Sequence, residues 1–225
     1  MKQFCNLIYN TNPTIFHAHG IPQKSPLWQR IKDLCNNDVF IPHNLQIVTF
    51  NNGSSHCNKD VGSLENSIQN RCTVMGADIK KWNNIHKISL IIDYLKSNQT
   101  DYVLSMDSSD VVVFCLGEII EKFLLKNCDI LFNAEINCWP KDYSDEKKWF
   151  REPFCYLNAG ACIGKKESML KFYSECLSFV KVEDYSEQKI VKQNFYKWYP
   201  KILIDDNCSI FQTLNGTTED ILHIP

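Results

Sequence analysis

No hydrophobic run in this chain approaches the roughly 20 residues that span a bilayer. The start, MKQFCNLIYN, lacks the apolar centre of a secretory signal. The expectation is therefore a soluble protein, intracellular as the sequence stands. Basic excess is missing as well. A formal charge of −2 leaves no broad positive footprint, which argues against nucleic-acid binding as the main role. The 11 cysteines include no C-x-x-C pair, so a zinc site has little support. Their number is odd, so at least one is unpaired or pairs between chains. Most read as small buried hydrophobes, Cys115, Cys128 and Cys176 among them. Cys138 and Cys155 flank a loop and are the candidate disulfide in an oxidising compartment. No internal repeat or low-complexity linker is visible. What is present suffices for one substantial core: 225 residues, 44% hydrophobic and 12% aromatic.

Short β-branched runs bounded by polar turns predict strands over 45–50, 73–76, 102–106, 129–134, 156–164, 202–204 and 209–212. Apolar residues at helical spacing predict helices over 62–72, 85–95, 117–126, 167–180 and 186–196. Strands alternating with helices imply an α/β fold with a mostly parallel central sheet flanked by helices. In such sheets ligands bind beyond the carboxyl ends of the strands.

The most informative stretch is 103–110, V-L-S-M-D-S-S-D. An apolar run ends in Asp107 and Asp110, and a second apolar run follows at once. Two carboxylates between buried segments are costly unless their charge is compensated. A hard divalent cation is the usual compensation, because it prefers carboxylate oxygens. A metal at a strand end is well placed to grip a diphosphate, which suggests a nucleotide-sugar-dependent glycosyltransferase. An isolated D-x-x-D more often marks a plain strand-to-loop turn.

Further motifs shift that balance. D-S-S-D at 107–110, F-N-A-E at 132–135, C-W-P at 138–140, L-N-A-G-A-C-I-G at 157–164 and C-S-I-F-Q-T-L-N-G at 208–216 occur in this order. Together they resemble the glycosyltransferase domain of procollagen lysyl hydroxylases over about 45–216. The resemblance implies a GT-A type fold, a UDP-sugar donor and Mn²⁺. It implies that Asp107 and Asp110 are metal ligands and that Ser108 lies near the ribose or the metal. Ser109 stands where that family has a tyrosine. Thr49 would end the first strand at the uracil pocket, and Lys87 would contact uracil or phosphate. Trp139 and Asn158 would face the sugar or the acceptor. Glu187 would be the acidic group beside the reaction centre, with Ser186 replacing a second acid.

One motif is displaced. In the family, H-G-N-G-P-x-K follows the F-Q-T-L-N-G strand, giving a histidine to the metal and a cradle to the diphosphate. Here residues 13–24, P-T-I-F-H-A-H-G-I-P-Q-K, resemble it at the other end of the chain. The expectation is a circular permutation, with neighbouring termini. Residues 1–43 then carry the permuted motif, and 44–225 form the glycosyltransferase core of one compact domain. His17 would be a metal ligand, while His19, Gly20 and Lys24 would line the diphosphate.

The sequence reading is thus a hexosyltransferase using UDP-glucose first and UDP-galactose second. Its acceptor would be a hydroxyl, such as (galactosyl)hydroxylysine of a collagen-like chain. The lysyl hydroxylase resemblance favours retention. Glu135 reads as a structural acceptor more than as a base. The competing classes are a UDP-sugar-binding protein without transferase activity and a structural interaction module; a metal-dependent phosphohydrolase would use similar carboxylates, but the L-N-A-G and F-Q-T-L-N-G segments have no place in it.

Overall fold

A computed structural model describes residues 4–19, 25–35, 39–53, 63–141, 145–215 and 221–223. Eleven strands run in chain order among these residues: β1 (Cys5–Asn6), β2 (Ile15–His17), β3 (Leu45–Phe50), β4 (Thr73–Met75), β5 (Tyr102–Asp107), β6 (Val111–Val113), β7 (Ile130–Glu135), β8 (Tyr156–Lys165), β9 (Ile202–Ile204), β10 (Phe211–Thr213) and β11 (Leu222–His223). The described helices are α1 (Pro26–Leu34), α2 (Ser63–Ser67), α3 (His86–Ser97), α4 (Ile119–Leu125), α5 (Lys166–Phe179) and α6 (Glu187–Trp198).

The central sheet has six strands in the order β4-β3-β5-β8-β7-β9. β3 is parallel to β4 and β5, β7 is parallel to β9, and β8 runs against both its neighbours. The expected mostly parallel α/β architecture is therefore present. One face buries Ile88, Ile91, Phe172, Ile190 and Phe195 from α3, α5 and α6. The other packs Leu64, Ile119 and Phe123 of α2 and α4 against Ile47, Leu104 and Leu131 of the sheet. A small sheet, β10-β2-β6, sits beside it. Its outer side is covered by α1, which buries Leu27, Trp28 and Ile31. Ser25 caps α1 by accepting from Trp28 N, and Pro26 occupies a first-turn position where no N–H is needed.

Two features position the site. β2 lies parallel to β10 and antiparallel to β6, with His17 opposite both Thr213 and Val111. That register sets His17 beside Asp110, the residue before Val111. Second, the β7–β8 ladder is irregular. Phe132 pairs with Cys162, but Asn133 pairs with Asn158. Residues 159–161 are thereby bulged out of the ladder, a device that re-aims side chains next to sites.

Some sequence expectations need correction. The helix expected over 62–72 is only Ser63–Ser67, because Gln69 and Asn70 take left-handed backbone angles, φ 54 and 59. Cys115 is half-buried rather than core, whereas Cys128 and Cys176 are buried. Cys138 and Cys155, the candidate disulfide, are not bonded to each other. No described helix is long and apolar enough to cross a membrane.

Candidate active site

β3 and β5 run in register, with Phe50 level with Asp107. The loop after β5 is pinned from two sides. Leu64 N donates to Ser108 O at 3.0 Å, and Ala18 N donates to Asp110 O at 2.8 Å. A cavity of about 240 Å³ opens at this strand end, with Asp107, Lys87, Glu187, Asn158, His19 and Trp139 in its wall.

Lys87 anchors one side. Its Nζ bonds Asp107 Oδ1 and lies 3.3 Å from Glu187 Oε2. Burial works against the ammonium, but Asp107 and then Glu187 outweigh it and hold its pKa above the ordinary lysine range. Glu187 sits in the first turn of α6, where the helix dipole favours a negative charge. Burial nevertheless pushes its pKa up to about 7, with Lys87 opposing and Asp107 reinforcing the shift. Ser186, which replaces the expected acid, caps α6 by accepting from Lys189 N at 3.2 Å.

On the other side, His17 Nε2 lies 3.5 Å from Asp110 Oδ2. Burial disfavours both charges. The mutual attraction exceeds it, holding the His17 pKa above and the Asp110 pKa below the usual values. His17 Nε2 is buried and makes no hydrogen bond. His17, His19 and Asp110 each offer a ligand atom, all within 4.8 Å of one another. Imidazole and carboxylate converging in this way suit a divalent cation. His19, expected on the diphosphate, stands with His17 and Asp110 in this group, while Asp107 is turned to Lys87 and lies outside it. Gly20 and Lys24 fall outside the described residues.

The floor is a polar network. Glu135 Oε1 accepts from Asn158 Nδ2 at 3.3 Å and from Gln188 Nε2 at 3.1 Å. Burial raises the Glu135 pKa, with His19 opposing. Gln188 also donates to Trp139 O at 2.7 Å and accepts from Ala159 N at 2.9 Å. The Glu135 carboxylate thus holds both the Asn158 and the Gln188 side chains. Trp139 is 45% exposed and Tyr185 70% exposed, so two aromatic faces stand at the cavity wall. Behind Trp139, Lys192 and Glu146 form a fully buried ion pair at 3.0 Å.

Thr49 was expected at the end of β3 but is its penultimate residue, Phe50 being the last; it is fully buried, with no hydrogen bond at Oγ1. Ser108 Oγ donates to Glu65 Oε1 at 2.6 Å and accepts from Asn51 Nδ2 at 3.1 Å. Neither Thr49 nor Ser108 lines the cavity around Lys87. The sequence offered no role for Gln188, Asn133, Gly160 or Lys192. The first three lie within or beside matched motifs, and Lys192 carries no local signal.

Comparison with known proteins adds identity to this geometry. Over 156 residues the chain is 28% identical to the Drosophila melanogaster procollagen-lysine,2-oxoglutarate 5-dioxygenase, covering 65% of this chain and 21% of that protein. Over 134 residues it is 28% identical to the Mus musculus procollagen-lysine,2-oxoglutarate 5-dioxygenase 2, covering 56% and 18%. The chain thus spans about a fifth of the length of these relatives. Among solved structures, A197 from STIV aligns with a TM-score of 0.41 and 12% identity over 73% of this chain and 82% of that one. The 4-diphosphocytidyl-2C-methyl-D-erythritol synthase of Anaerococcus prevotii aligns with a TM-score of 0.36 and 14% identity over 79% and 94%. The family model described as the PLOD GT domain matches residues 52–224, and the chain belongs to that glycosyltransferase domain family.

Proposed function

We propose that this domain transfers a hexose from a UDP-sugar to a hydroxyl acceptor with the help of a divalent metal. One observation carries the reading: His17, His19 and Asp110 converge within 4.8 Å at the strand end of a glycosyltransferase-family domain. The donor set fits a cation, because the buried His17 Nε2 makes no hydrogen bond and faces a carboxylate. Asp110, His17 and His19 would hold it, and Asp107 would complete the set from the end of β5. Mn²⁺ is our choice of metal. Bound there, it would stabilise negative charge developing on the departing diphosphate.

The other roles follow from position. Lys87 adds a fixed positive charge beside the diphosphate locus. Glu187, when ionised, faces the sugar side and offsets positive charge growing on the ring. Asn158 and Gln188 are held by Glu135, so the sugar meets a preorganised polar floor. Trp139 and Tyr185 offer aromatic faces to the acceptor. Thr49 and Ser108 belong to the nucleoside end, and Gly20 and Lys24 to the diphosphate. UDP-glucose is the first donor and UDP-galactose the second. The transfer is read as retaining, and a collagen-like chain bearing (galactosyl)hydroxylysine is the acceptor.

We further read the histidine motif as circularly permuted. It precedes the carboxylates in sequence, yet β2 bonds directly to β10. β1 pairs with β11, so the two ends of the described chain are adjacent. The family match begins at residue 52, after this motif.

The test is UDP release from a panel of UDP-sugars, with Mn²⁺ or chelator, with and without a hydroxylysine-containing collagen peptide. Release that needs metal and is lost in Asp110→Ala and His17→Ala is the expected result. A second reading, UDP-sugar binding without transfer, draws on Ser109 in place of the family's tyrosine. Metal-dependent UDP binding without release would select it. Neither binding nor release would refute both.

A further inference from the structure

The Asn133 side chain lies between two partners. One end of its amide is 3.2 Å from His17 Nδ1, and the other is 3.0 Å from Thr213 Oγ1. Asn133 and Thr213 are 0% exposed and His17 is 1% exposed, so bulk water does not substitute for any of them. An amide's oxygen and nitrogen exchange places by a half-turn, and proton bookkeeping decides between the two arrangements. Thr213 Oγ1 also lies 2.5 Å from the Ala134 carbonyl. A carbonyl only accepts, so the single hydroxyl hydrogen is committed there. Thr213 then presents a lone pair to Asn133, which calls for the amide NH₂ at that end. The amide oxygen is left facing His17 Nδ1, where it can accept only from an Nδ1–H. A neutral imidazole carries one such hydrogen, so Nε2 keeps its lone pair. Nε2 is the atom that makes no hydrogen bond and faces Asp110 Oδ2 at 3.5 Å.

We infer that Asn133 is a positioning residue that locks His17 in the Nδ1–H tautomer, with its Nε2 lone pair turned on the metal locus. Thr213 and the Ala134 carbonyl set the orientation of Asn133 in turn. Outer groups of this kind orient a ligating imidazole and raise its basicity. The inference deepens the proposed metal-dependent reading and rests on it.

The probe is Mn²⁺ alone, with its binding to the whole chain followed by the EPR signal of the free ion. Asn133→Leu removes the acceptor and should weaken binding by about 10–100-fold. Asn133→Asp keeps an acceptor toward Nδ1 but turns a carboxylate oxygen on the Thr213 lone pair, so it should lose stability while holding Mn²⁺ more tightly than Asn133→Leu does. Unfolding midpoints in chelator report whether each variant is folded. Should Asn133→Leu fail to fold, nitrogen NMR of the Zn²⁺-loaded wild type reads the same point, and a protonated Nδ1 on His17 is expected. Wild-type affinity in a folded Asn133→Leu, or a bare Nδ1, would overturn the inference while leaving the metal site standing. Failure of the wild type to bind any metal would overturn the proposed function and this inference together.

Discussion

Gly160 has no room for a side chain because His17 occupies the space: a Cβ there would lie 2.3 Å from His17 Cε1 and 2.9 Å from Nε2. The imidazole has nowhere easy to go, since Asn133 contacts its Nδ1 and β2 is hydrogen-bonded on both sides. Gly160→Ala should therefore displace the ring. A stability loss of about 1–3 kcal/mol is expected from overpacking. Mn²⁺ affinity should fall with it. Urea unfolding in chelator and metal titration check the two effects separately, and an unchanged metal affinity would show that His17 is not a ligand.

Lys87 stands between two carboxylates that come from residues 20 and 100 positions away, Asp107 and Glu187. Lys87→Met leaves both acids facing each other with their shared cation gone. Removing one partner of a buried pair typically costs about 3–5 kcal/mol. The cost should shrink as pH falls and the Glu187 carboxyl takes up its proton. UDP binding should weaken too, since the variant loses charge beside the diphosphate locus. Binding and unfolding measured at pH 5 and pH 8 would separate these contributions.

Glu187 gives a second pH signature. Its folded pKa, about 7, lies above the ordinary carboxyl value of 4.5, so the native state binds the extra proton between these two pH values. Stability from this group is therefore fully present below about pH 4.5 and is lost as pH rises through 7. One proton limits the slope to about 1.4 kcal/mol per pH unit. Chelator-treated wild type should lose stability over this range, and Glu187→Gln should show a flatter profile. Equal profiles would place the raised pKa elsewhere.

Much of the scaffold was legible because each strand of the central sheet is a compact apolar run with turn residues beyond it. Residues 45–50 and 202–204 are strands as expected. What escaped depends on long-range pairing. β1 and β11 have two residues each and exist only because they meet. The α2 periodicity of Leu64, Ile68 and Cys72 looked helical, yet left-handed Gln69 and Asn70 stop the helix after one turn. Motif order brought Asp107, Asp110, His17, Lys87 and Glu187 onto one page, but not their partition. Asp107 is bound to Lys87 while His19 joins Asp110, a choice of geometry that spacing does not encode.

Lys192 and Glu146 pair with no solvent access at either side chain. Lys192 also lies 3.4 Å from Trp139 O, so the pair braces the loop that presents Trp139. Lys192→Met strands a buried carboxylate and should cost about 3–5 kcal/mol. Adding Glu146→Gln should restore most of that loss, because a neutral pair needs no counter-charge. Unfolding of the three variants tests the coupling, and simple additivity would refute it.

Two imidazoles and a carboxylate converge at His17, His19 and Asp110, and that donor set bears on the choice of metal for the proposed site. Imidazole suits zinc and other later metals, whereas oxygen-only sites suit magnesium and manganese, and affinity rises from Mn²⁺ through Co²⁺ along the first row. The apo domain should therefore bind Zn²⁺ or Co²⁺ more tightly than Mn²⁺, and either should displace Mn²⁺ in competition. If His19 contributes a nitrogen ligand, His19→Ala should lower Zn²⁺ affinity by roughly tenfold or more. Mn²⁺, held more by the Asp110 carboxylate, should lose less. The variant would then narrow the gap between the two metals. If His19 instead serves only the diphosphate, both metal affinities should hold without UDP, and only UDP binding should fall. Competition titrations with and without UDP distinguish these outcomes.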